Sequence, residues 1–147
     1  MNEQRARAAF EAALASHRPE FEHFFLSRLL GLKFSYGDDR CVIEFEVQDF
    51  MFNPQGSLHG GVIATVMDIS MGHLLKHLDG PGTTLEMKTQ YVKPARRGSL
   101  RCCGEFIQRG KGISYLRSTL TDEEGDLVAF ATSTWKRLKP GGTGEGT

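Results

Sequence analysis

The sequence predicts an α+β domain in which one antiparallel sheet of about six strands wraps around a long central helix. Three observations lead to this prediction. Residues 60–77 follow a helical pattern that is apolar on almost every side, and such a helix must be covered on all its faces. Strand-like runs separated by short turn signals follow it. The length of 147 residues fits one domain, which we assign to residues 1–138.

The N-terminal segment, about residues 3–30, is predicted to be helical. Residues 3–16 are rich in Ala, Glu and Arg and carry apolar side chains at helical spacing. Pro19 can open a second short helix, because proline suits the first helical position. That helix would carry Phe21, Phe24 and Phe25. This Phe-rich patch requires cover from a core or from a partner subunit, and the sequence does not choose between them.

A hairpin is predicted between the N-terminal segment and the central helix. Gly37-Asp38-Asp39 is a turn signal between two short runs, residues 32–36 and 40–47. A loop follows at residues 50–56, where Asn53-Pro54 and Gly56 act as breakers. After the central helix, four further strands are predicted, at residues 83–92, 99–108, 113–121 and 127–138. The Gly-rich segment 139–147 is expected to be a disordered tail.

The composition argues against several classes of function. Lys plus Arg and Asp plus Glu are both 18, so the net charge is zero, and the basic face of a nucleic-acid-binding protein is not indicated. The three cysteines lack the spacing of a zinc site or a disulfide framework, so no metal is expected. No segment has the pattern of a membrane span or a signal peptide. We therefore expect a cytoplasmic protein without a membrane partner.

Asp68 is the one charged residue between positions 51 and 75. Burying a carboxylate is unfavourable unless the group is paired or hydrogen-bonded. Asp68 also lies about two turns inside the predicted helix, which is too far for a helix cap. It is either a structural acid that bonds a neighbouring side chain or subunit, or a catalytic group. The residue alone does not decide between these two roles.

The segment His59-Gly60-Gly61 stands at the start of the same helix. The first N–H groups of a helix have no internal partners and lie at the positive end of its dipole. Glycines allow another group to approach the backbone closely. Together these features can polarise a carbonyl oxygen, as an oxyanion hole does. The alternative is an ordinary helix start with small residues for packing.

The combination is more specific than either feature. The spacing Asn53-x-x-Gly56-x-x-His59-Gly60-Gly61, followed by Asp68, resembles the hotdog-fold thioesterases of the PaaI-like (phenylacetate-pathway) group. The run at residues 84–95, Thr-Leu-Glu-Met-Lys-Thr-Gln-Tyr-Val-Lys-Pro-Ala, is similar to that family's strand after the central helix. The resemblance covers about residues 32–138. It implies a hotdog fold and the hydrolysis of an acyl-CoA thioester.

The resemblance also implies catalytic roles. Asp68 corresponds to the carboxylate that attacks the thioester or activates a water, and the Gly60 N–H polarises the carbonyl. Asn53 helps to position the water or the substrate, and His59 orients Asn53 and its loop. Thr84 stands where relatives hold the nucleophilic water with a hydroxyl group.

Substrate contacts and assembly follow from the same resemblance. Coenzyme A carries phosphates, so a basic rim is expected. The residues expected to contact the substrate are Gly61, Lys93, Arg96, Arg97, Arg109 and Lys111. Gly60 and Asp68 are about 12 Å apart along one helix, too far to meet at one thioester carbon. We therefore expect a homodimer or a dimer of dimers in which one subunit brings Asp68 to the Gly60 of another.

The predicted function is hydrolysis of a small aromatic or medium-chain acyl-CoA, without a cofactor, since coenzyme A is part of the substrate. The sequence also allows two alternatives. One is a hotdog dehydratase or hydratase acting on acyl thioesters, which the Gly60-Gly61 pair after His59 disfavours. The other is a non-catalytic acyl-CoA-binding module, which the combination of Asn53, Gly60 and Asp68 disfavours.

Overall fold

The N-terminal segment contains two helices in the computed structural model, which describes residues 1–139. Helix α1, Glu3–Ser16, begins where the Asn2 side-chain oxygen accepts a hydrogen bond from the Arg5 N–H at 3.0 Å, an N-cap. Helix α2 is only Phe25–Leu29. The prediction that this helix starts at Pro19 was wrong. Glu22 has a left-handed φ of 67°, which a right-handed helix does not accommodate.

Six strands form one sheet, as predicted. The strands are β1 (Lys33–Gly37), β2 (Arg40–Glu46), β3 (Gly82–Tyr91), β4 (Ser99–Gln108), β5 (Ile113–Thr121) and β6 (Leu127–Arg137). Their order in the sheet is β1-β2-β4-β5-β6-β3, and all neighbours are antiparallel. The strand that directly follows the central helix in the chain, β3, is therefore at an edge of the sheet. A one-turn 3-10 helix, Asp49–Met51, precedes the loop that leads to the central helix.

The central helix α3, Gly60–Asp79, packs against strands β2 to β6, so the sheet wraps around it. Buried side chains of α3 and of the sheet form one core, which includes Val66, Met67, Met71, Leu74, Leu100, Leu116 and Leu120. Close approach requires Gly104 on β4, because a Cβ there would lie 2.5 Å from the Ser70 carbonyl oxygen. The helix lies in the concave side of the sheet, which is the predicted arrangement.

The first half of α3 is less covered than its sequence predicts. Residues from Ile69 to Leu75 are all buried, but Gly61 is exposed, and Thr65 and Asp68 are partly exposed. These three positions are spaced by four and three residues, so they share one face of the helix. The expectation of a helix buried on all sides was therefore wrong for this face within one subunit.

Among residues 1–139, no helix combines the length and the apolar character needed to cross a membrane. The predicted Gly-rich tail, residues 139–147, lies outside the described residues except for Lys139.

Candidate active site

Asp68 meets Thr84 across the interface between α3 and β3. The Thr84 hydroxyl donates a hydrogen bond of 2.7 Å to Oδ1 of Asp68. Within residues 1–139, no Lys, Arg or His forms an ion pair with this carboxylate. The structure thus brings together two of the predicted site residues and leaves the carboxylate without a neutralising cation.

The surroundings of Asp68 change its acidity. Burial raises the pKa of the Asp68 carboxyl above its usual value, and the hydrogen bond from Thr84 opposes this change. Both effects follow from how burial and hydrogen bonding favour one protonation state. A carboxylate with a raised pKa is a stronger base, which suits proton abstraction from a water molecule.

A cavity of about 370 Å³ opens beside Asp68, a size within the range of small-molecule pockets. Most of its other lining residues are apolar or aromatic, and the full set is Pro19, Glu20, Phe21, Phe24, Ile69, Gly72, His73, Gly82 and Trp135. Gly72 is needed here because a Cβ would lie 2.6 Å from the Trp135 ring. The cavity therefore offers a largely apolar surface that reaches the carboxylate.

Gly60 presents an unused backbone donor at the start of α3. The Gly61 N–H donates to Nδ1 of His59 at 2.8 Å, and the Val62 N–H donates to the His59 carbonyl oxygen. The Gly60 N–H has no acceptor in the described part of the chain. The helix dipole adds positive potential at this position. Of the predicted donors, Gly60 is thus free for a substrate carbonyl, whereas the Gly61 N–H is occupied.

Tyr91 is a contact of Gly60 that the sequence did not identify. Its hydroxyl donates to the Gly60 carbonyl oxygen at 2.8 Å, and a Cβ on Gly60 would lie 3.2 Å from the Tyr91 ring. Tyr91 is part of the strand that resembles the family, but tyrosine is common in strands for its β-propensity. No signal in the sequence separated it from an ordinary strand residue.

Asn53 organises its own loop. Its Oδ1 accepts hydrogen bonds from the N–H groups of Gln55, at 3.0 Å, and Ser57, at 3.2 Å, an Asx-type turn. His59 caps α3 through Gly61, and within residues 1–139 it makes no hydrogen bond to Asn53. The structure therefore places His59 as a helix cap rather than as the predicted partner of Asn53.

Asn53 and Gly60 share a second cavity, of about 320 Å³, which is also lined by Tyr91 and Lys93. Asp68 does not line this cavity. Asp68 and Gly60 are eight residues apart on α3, which corresponds to about 12 Å along the helix axis. One subunit therefore carries the two halves of the predicted site in separate places.

The predicted basic rim divides into paired and unpaired charges. Lys93 forms ion pairs with Asp122, at 2.5 Å, and Asp126, at 3.1 Å. Arg109 forms a bidentate ion pair with Asp79 at the end of α3. Both cations are thus partly neutralised within the subunit.

The other three basic residues are exposed and form no ion pair within the described residues. Arg96 and Arg97 border a cavity next to Lys93, together with Glu123 and Glu124. Lys111 lies in a different region, beside the end of β6. Arg96 and Arg97 are therefore the predicted cations that combine freedom from ion pairs with proximity to the Gly60 cavity.

Comparison with known proteins gives a family match over the site. A family model described as the thioesterase superfamily matches residues 55–129, which is 75 of the 147 residues. The matched range contains Gly60, Asp68, Thr84 and Tyr91. Acyl-coenzyme A thioesterase 13 of Homo sapiens is 29% identical over 94 residues, which cover 61% of this chain and 67% of that protein.

Two further similarities extend over more of the chain. Medium/long-chain acyl-CoA thioesterase YigI of Escherichia coli K12 is 26% identical over 133 residues, which cover 77% of this chain and 85% of that protein. The structure of the E. coli PaaI protein from the phenylacetic acid degradation operon has a TM-score of 0.77 at 17% identity. It covers 91% of this chain and 96% of its own. This similarity confirms the predicted hotdog fold.

Proposed function

We propose that this chain, which belongs to the thioesterase superfamily, hydrolyses a medium-chain or small aromatic acyl-CoA at a site shared by two subunits. Family membership makes the protein a hydrolase of thioester bonds. The acyl-CoA substrate is supported by similarity to two proteins named as acyl-CoA thioesterases. Coenzyme A is part of the substrate, so the reaction needs no cofactor, and we place the enzyme in the cytoplasm.

The single observation that carries the proposal is the environment of Asp68. A carboxylate without a cation partner borders an apolar cavity, and a threonine hydroxyl fixes one of its oxygens. A purely structural acid would be expected to have its charge matched by a cation or by several hydrogen bonds. The cavity beside it provides space for the acyl group, next to the group that promotes attack on the thioester.

The edge strand β3 supports a site formed between subunits. Thr84, near the start of β3, contacts Asp68, and Tyr91, at its end, contacts Gly60. The second side of β3 pairs with no strand among residues 1–139, and an unpaired edge invites pairing with another chain.

Antiparallel pairing of two β3 strands about a two-fold axis between Met87 and Lys88 would place Thr84 of one subunit opposite Tyr91 of its partner. A dimer with this two-fold symmetry would have two such sites, each with Asp68 from one subunit and Gly60 from the other. We propose this homodimer as the catalytic unit, either alone or within a dimer of dimers.

Two routes of thioester hydrolysis are open at such a site. The Gly60 N–H polarises the thioester carbonyl, and charge develops on its oxygen as the carbonyl carbon is attacked. In one route Asp68 takes a proton from a water, whose oxygen forms the new C–O bond. In the other, the Asp68 carboxylate attacks and a water then hydrolyses the anhydride. In both, the C–S bond breaks and coenzyme A leaves as a thiolate, since thiols have pKa values of about 8.5.

Replacing Asp68 with asparagine tests the function. Asp68→Asn keeps the size of the side chain but removes the base, so kcat/KM for acyl-CoA hydrolysis should fall by about 10³. Free thiol release measures the rate, over a panel of straight-chain and aromatic acyl-CoAs. Asp38→Asn, in the exposed β1–β2 turn, is the matched control and should retain full activity. Turnover by Asp68→Asn equal to wild type would refute the catalytic assignment.

Oxygen-18 water in a single turnover can reveal the covalent route. A label that enters only the product acid fits general-base catalysis by Asp68, and it also fits an anhydride that water opens at the acyl carbon. A label found in the peptide that contains Asp68 indicates the covalent route, because water then attacks the anhydride at the aspartyl carbon. Mass spectrometry of the product and of the digested enzyme reads both outcomes.

A further inference from the structure

The turn at residues 19–24 closes one side of the Asp68 cavity, and the proposed reaction steps assign no role to it. Phe21 and Phe24 from this turn line the cavity together with Trp135 from β6. Their rings surround His73, with centroid distances of 4.9 Å from Phe21 and 5.9 Å from Phe24. The turn thus contributes aromatic surface to the cavity that contains the carboxylate.

Glu22 fixes this turn by contacts through three of its groups. Its N–H donates to Nε2 of His73 at 3.2 Å, and its carbonyl oxygen accepts from the Ser27 hydroxyl at 2.8 Å. Its carboxylate accepts a hydrogen bond from the Tyr36 hydroxyl. A left-handed φ costs about 1 kcal/mol or more for a residue with a side chain, so these contacts hold the turn in a conformation it would not adopt alone.

The lining of the cavity favours an uncharged acyl group. No Lys or Arg is among its lining residues, and the acids Glu20 and Asp68 both border it. His73 is buried, and this burial lowers its pKa to about 4, so the ring is neutral near pH 7. A carboxylate at the far end of an acyl chain would find no cation in this lining.

We propose that the turn at residues 19–24 is a wall of the acyl pocket, and that Phe21 and Phe24 limit the length of the acyl chain. This inference rests on the proposed thioesterase function, because it places the acyl group in the cavity next to Asp68. The pocket takes apolar chains and discriminates against chains of equal length that end in a carboxylate. The turn is a specificity element, and Glu22 positions it.

Acyl-chain profiles test the wall. The value of kcat/KM is measured for saturated acyl-CoAs of increasing length with wild type, Phe21→Ala and the milder variant Phe24→Leu. One methylene in a hydrophobic pocket changes kcat/KM by about tenfold or more. Phe21→Ala should therefore raise kcat/KM for chains beyond the wild-type optimum about tenfold relative to that optimum. Unchanged profiles in both variants, with activity retained, would overturn the inference.

Phe10→Ala is the matched control for an N-terminal phenylalanine. Phe10 contacts Phe25, at a ring distance of 5.6 Å, and does not line the cavity. Phe10→Ala should therefore leave the chain-length profile unchanged.

An acyl-CoA with a terminal carboxylate should be hydrolysed at least about tenfold less efficiently than its apolar counterpart of equal length. Equal rates would contradict the assignment of the lining.

Tryptophan fluorescence provides a readout that does not require hydrolysis. Trp135 is the single tryptophan of the sequence, and it lines the cavity. Binding of thioether analogues of acyl-CoA, which cannot be hydrolysed, should change the emission of Trp135. The longest acyl chain that still causes this change should be longer in Phe21→Ala than in wild type. If this shift occurs while wild type hydrolyses no acyl-CoA, the wall stands and the thioesterase proposal fails. If wild type hydrolyses acyl-CoA but chain length affects the emission of wild type and Phe21→Ala equally, the thioesterase proposal stands and the wall fails.

Discussion

The cavity at the start of α3 and the cavity beside Asp68 lie on the same helix but are built from different side chains. The first is formed by a polar loop and a helix N-terminus, with Asn53, Ser57 and the free Gly60 N–H. The second is formed largely by aromatic side chains, with the acids Asp68 and Glu20 at its border. A donor for an oxyanion and a base beside an apolar chamber are complementary requirements of thioester hydrolysis.

This contrast is the reason for the proposed two-subunit site. The proposed donor, Gly60, and the proposed base, Asp68, are fixed about 12 Å apart by the rise of the helix, and no change of side-chain rotamer closes that distance. A second copy of the chain can provide the missing half at each site. If the two cavities serve one reaction, a change in either cavity should impair turnover.

Removing the Gly60 donor should be nearly as damaging as removing Asp68. Gly60→Pro deletes the N–H but suits the first position of a helix, whereas Gly60→Ala retains the N–H. Both variants add a Cβ beside the Tyr91 ring, so Gly60→Ala controls for crowding. Loss of an oxyanion donor costs about 10² to 10³ in kcat. We expect this loss in Gly60→Pro relative to Gly60→Ala, measured by thiol release.

Mixed dimers test the shared site directly. A dimer of one Gly60→Pro subunit and one Asp68→Asn subunit has one site with both defects and one with neither. Random co-assembly should then restore about a quarter of wild-type activity. If co-expressed and purified mixtures show no more activity than the separate variants, the donor and the base do not act across subunits.

Thr84→Val should change the pH dependence of the reaction. The hydrogen bond from Thr84 lowers the pKa of Asp68 against the effect of burial, so its loss raises that pKa further. The acid limb of the kcat/KM profile should move to higher pH, because the ionised carboxylate forms only above the raised pKa. Activity on the plateau above this limb should fall by up to about tenfold, because a hydrogen bond no longer fixes one oxygen of the charged carboxylate. Thr83→Val, at the exposed neighbouring position, should leave the acid limb in place.

His73 should make the stability of the folded protein sensitive to acid. The pKa of His73 is lowered by burial from 6.5 to about 4, with Glu22 opposing this effect and Lys76 adding to it. Between these values the unfolded chain takes up a proton that the folded His73 does not, so stability falls as pH decreases from about 6.5 to about 4. His73→Gln lacks this titration and should lose on the order of 5 °C less in Tm across the window. Calorimetry at pH 7 and pH 4 measures the difference, and equal losses in both proteins would contradict it.

Sequence patterns predicted most of the fold because the elements have clear periods and terminators. The strand at residues 113–121 matches β5 at both ends, and α3 begins at Gly60 as predicted. Alternation in strands and an apolar helical run are local properties, so they need no knowledge of contacts. The start of α2 was not predictable in this way, because Glu22 is held by His73, 51 positions further along the chain.

The site was predictable where spacing carries the signal and not where distant residues meet. The motif containing Gly60 and Asp68 is local in the sequence, and it predicts the donor and the base that we propose. Charge pairing was different, since Lys93 is held by Asp122 and Asp126 from the β5–β6 turn. The positions of Tyr91 and Trp135 at the two cavities follow only from their contacts, Tyr91 with Gly60 and Trp135 with Gly72.

The sequence by itself determined the chemistry that this protein carries: one carboxylate in an apolar helix, glycines at that helix's N-terminus, and an antiparallel sheet to enclose it. These features follow from residue type and periodicity, which are local. Only the tertiary structure decided that Asp68 lies beside Thr84 at an aromatic cavity. It also decided that Gly60 lies beside Tyr91 at a second, separate cavity. Packing joins residues that are far apart in the chain, and the rigid rise of α3 then keeps the two halves of the motif separated within each subunit.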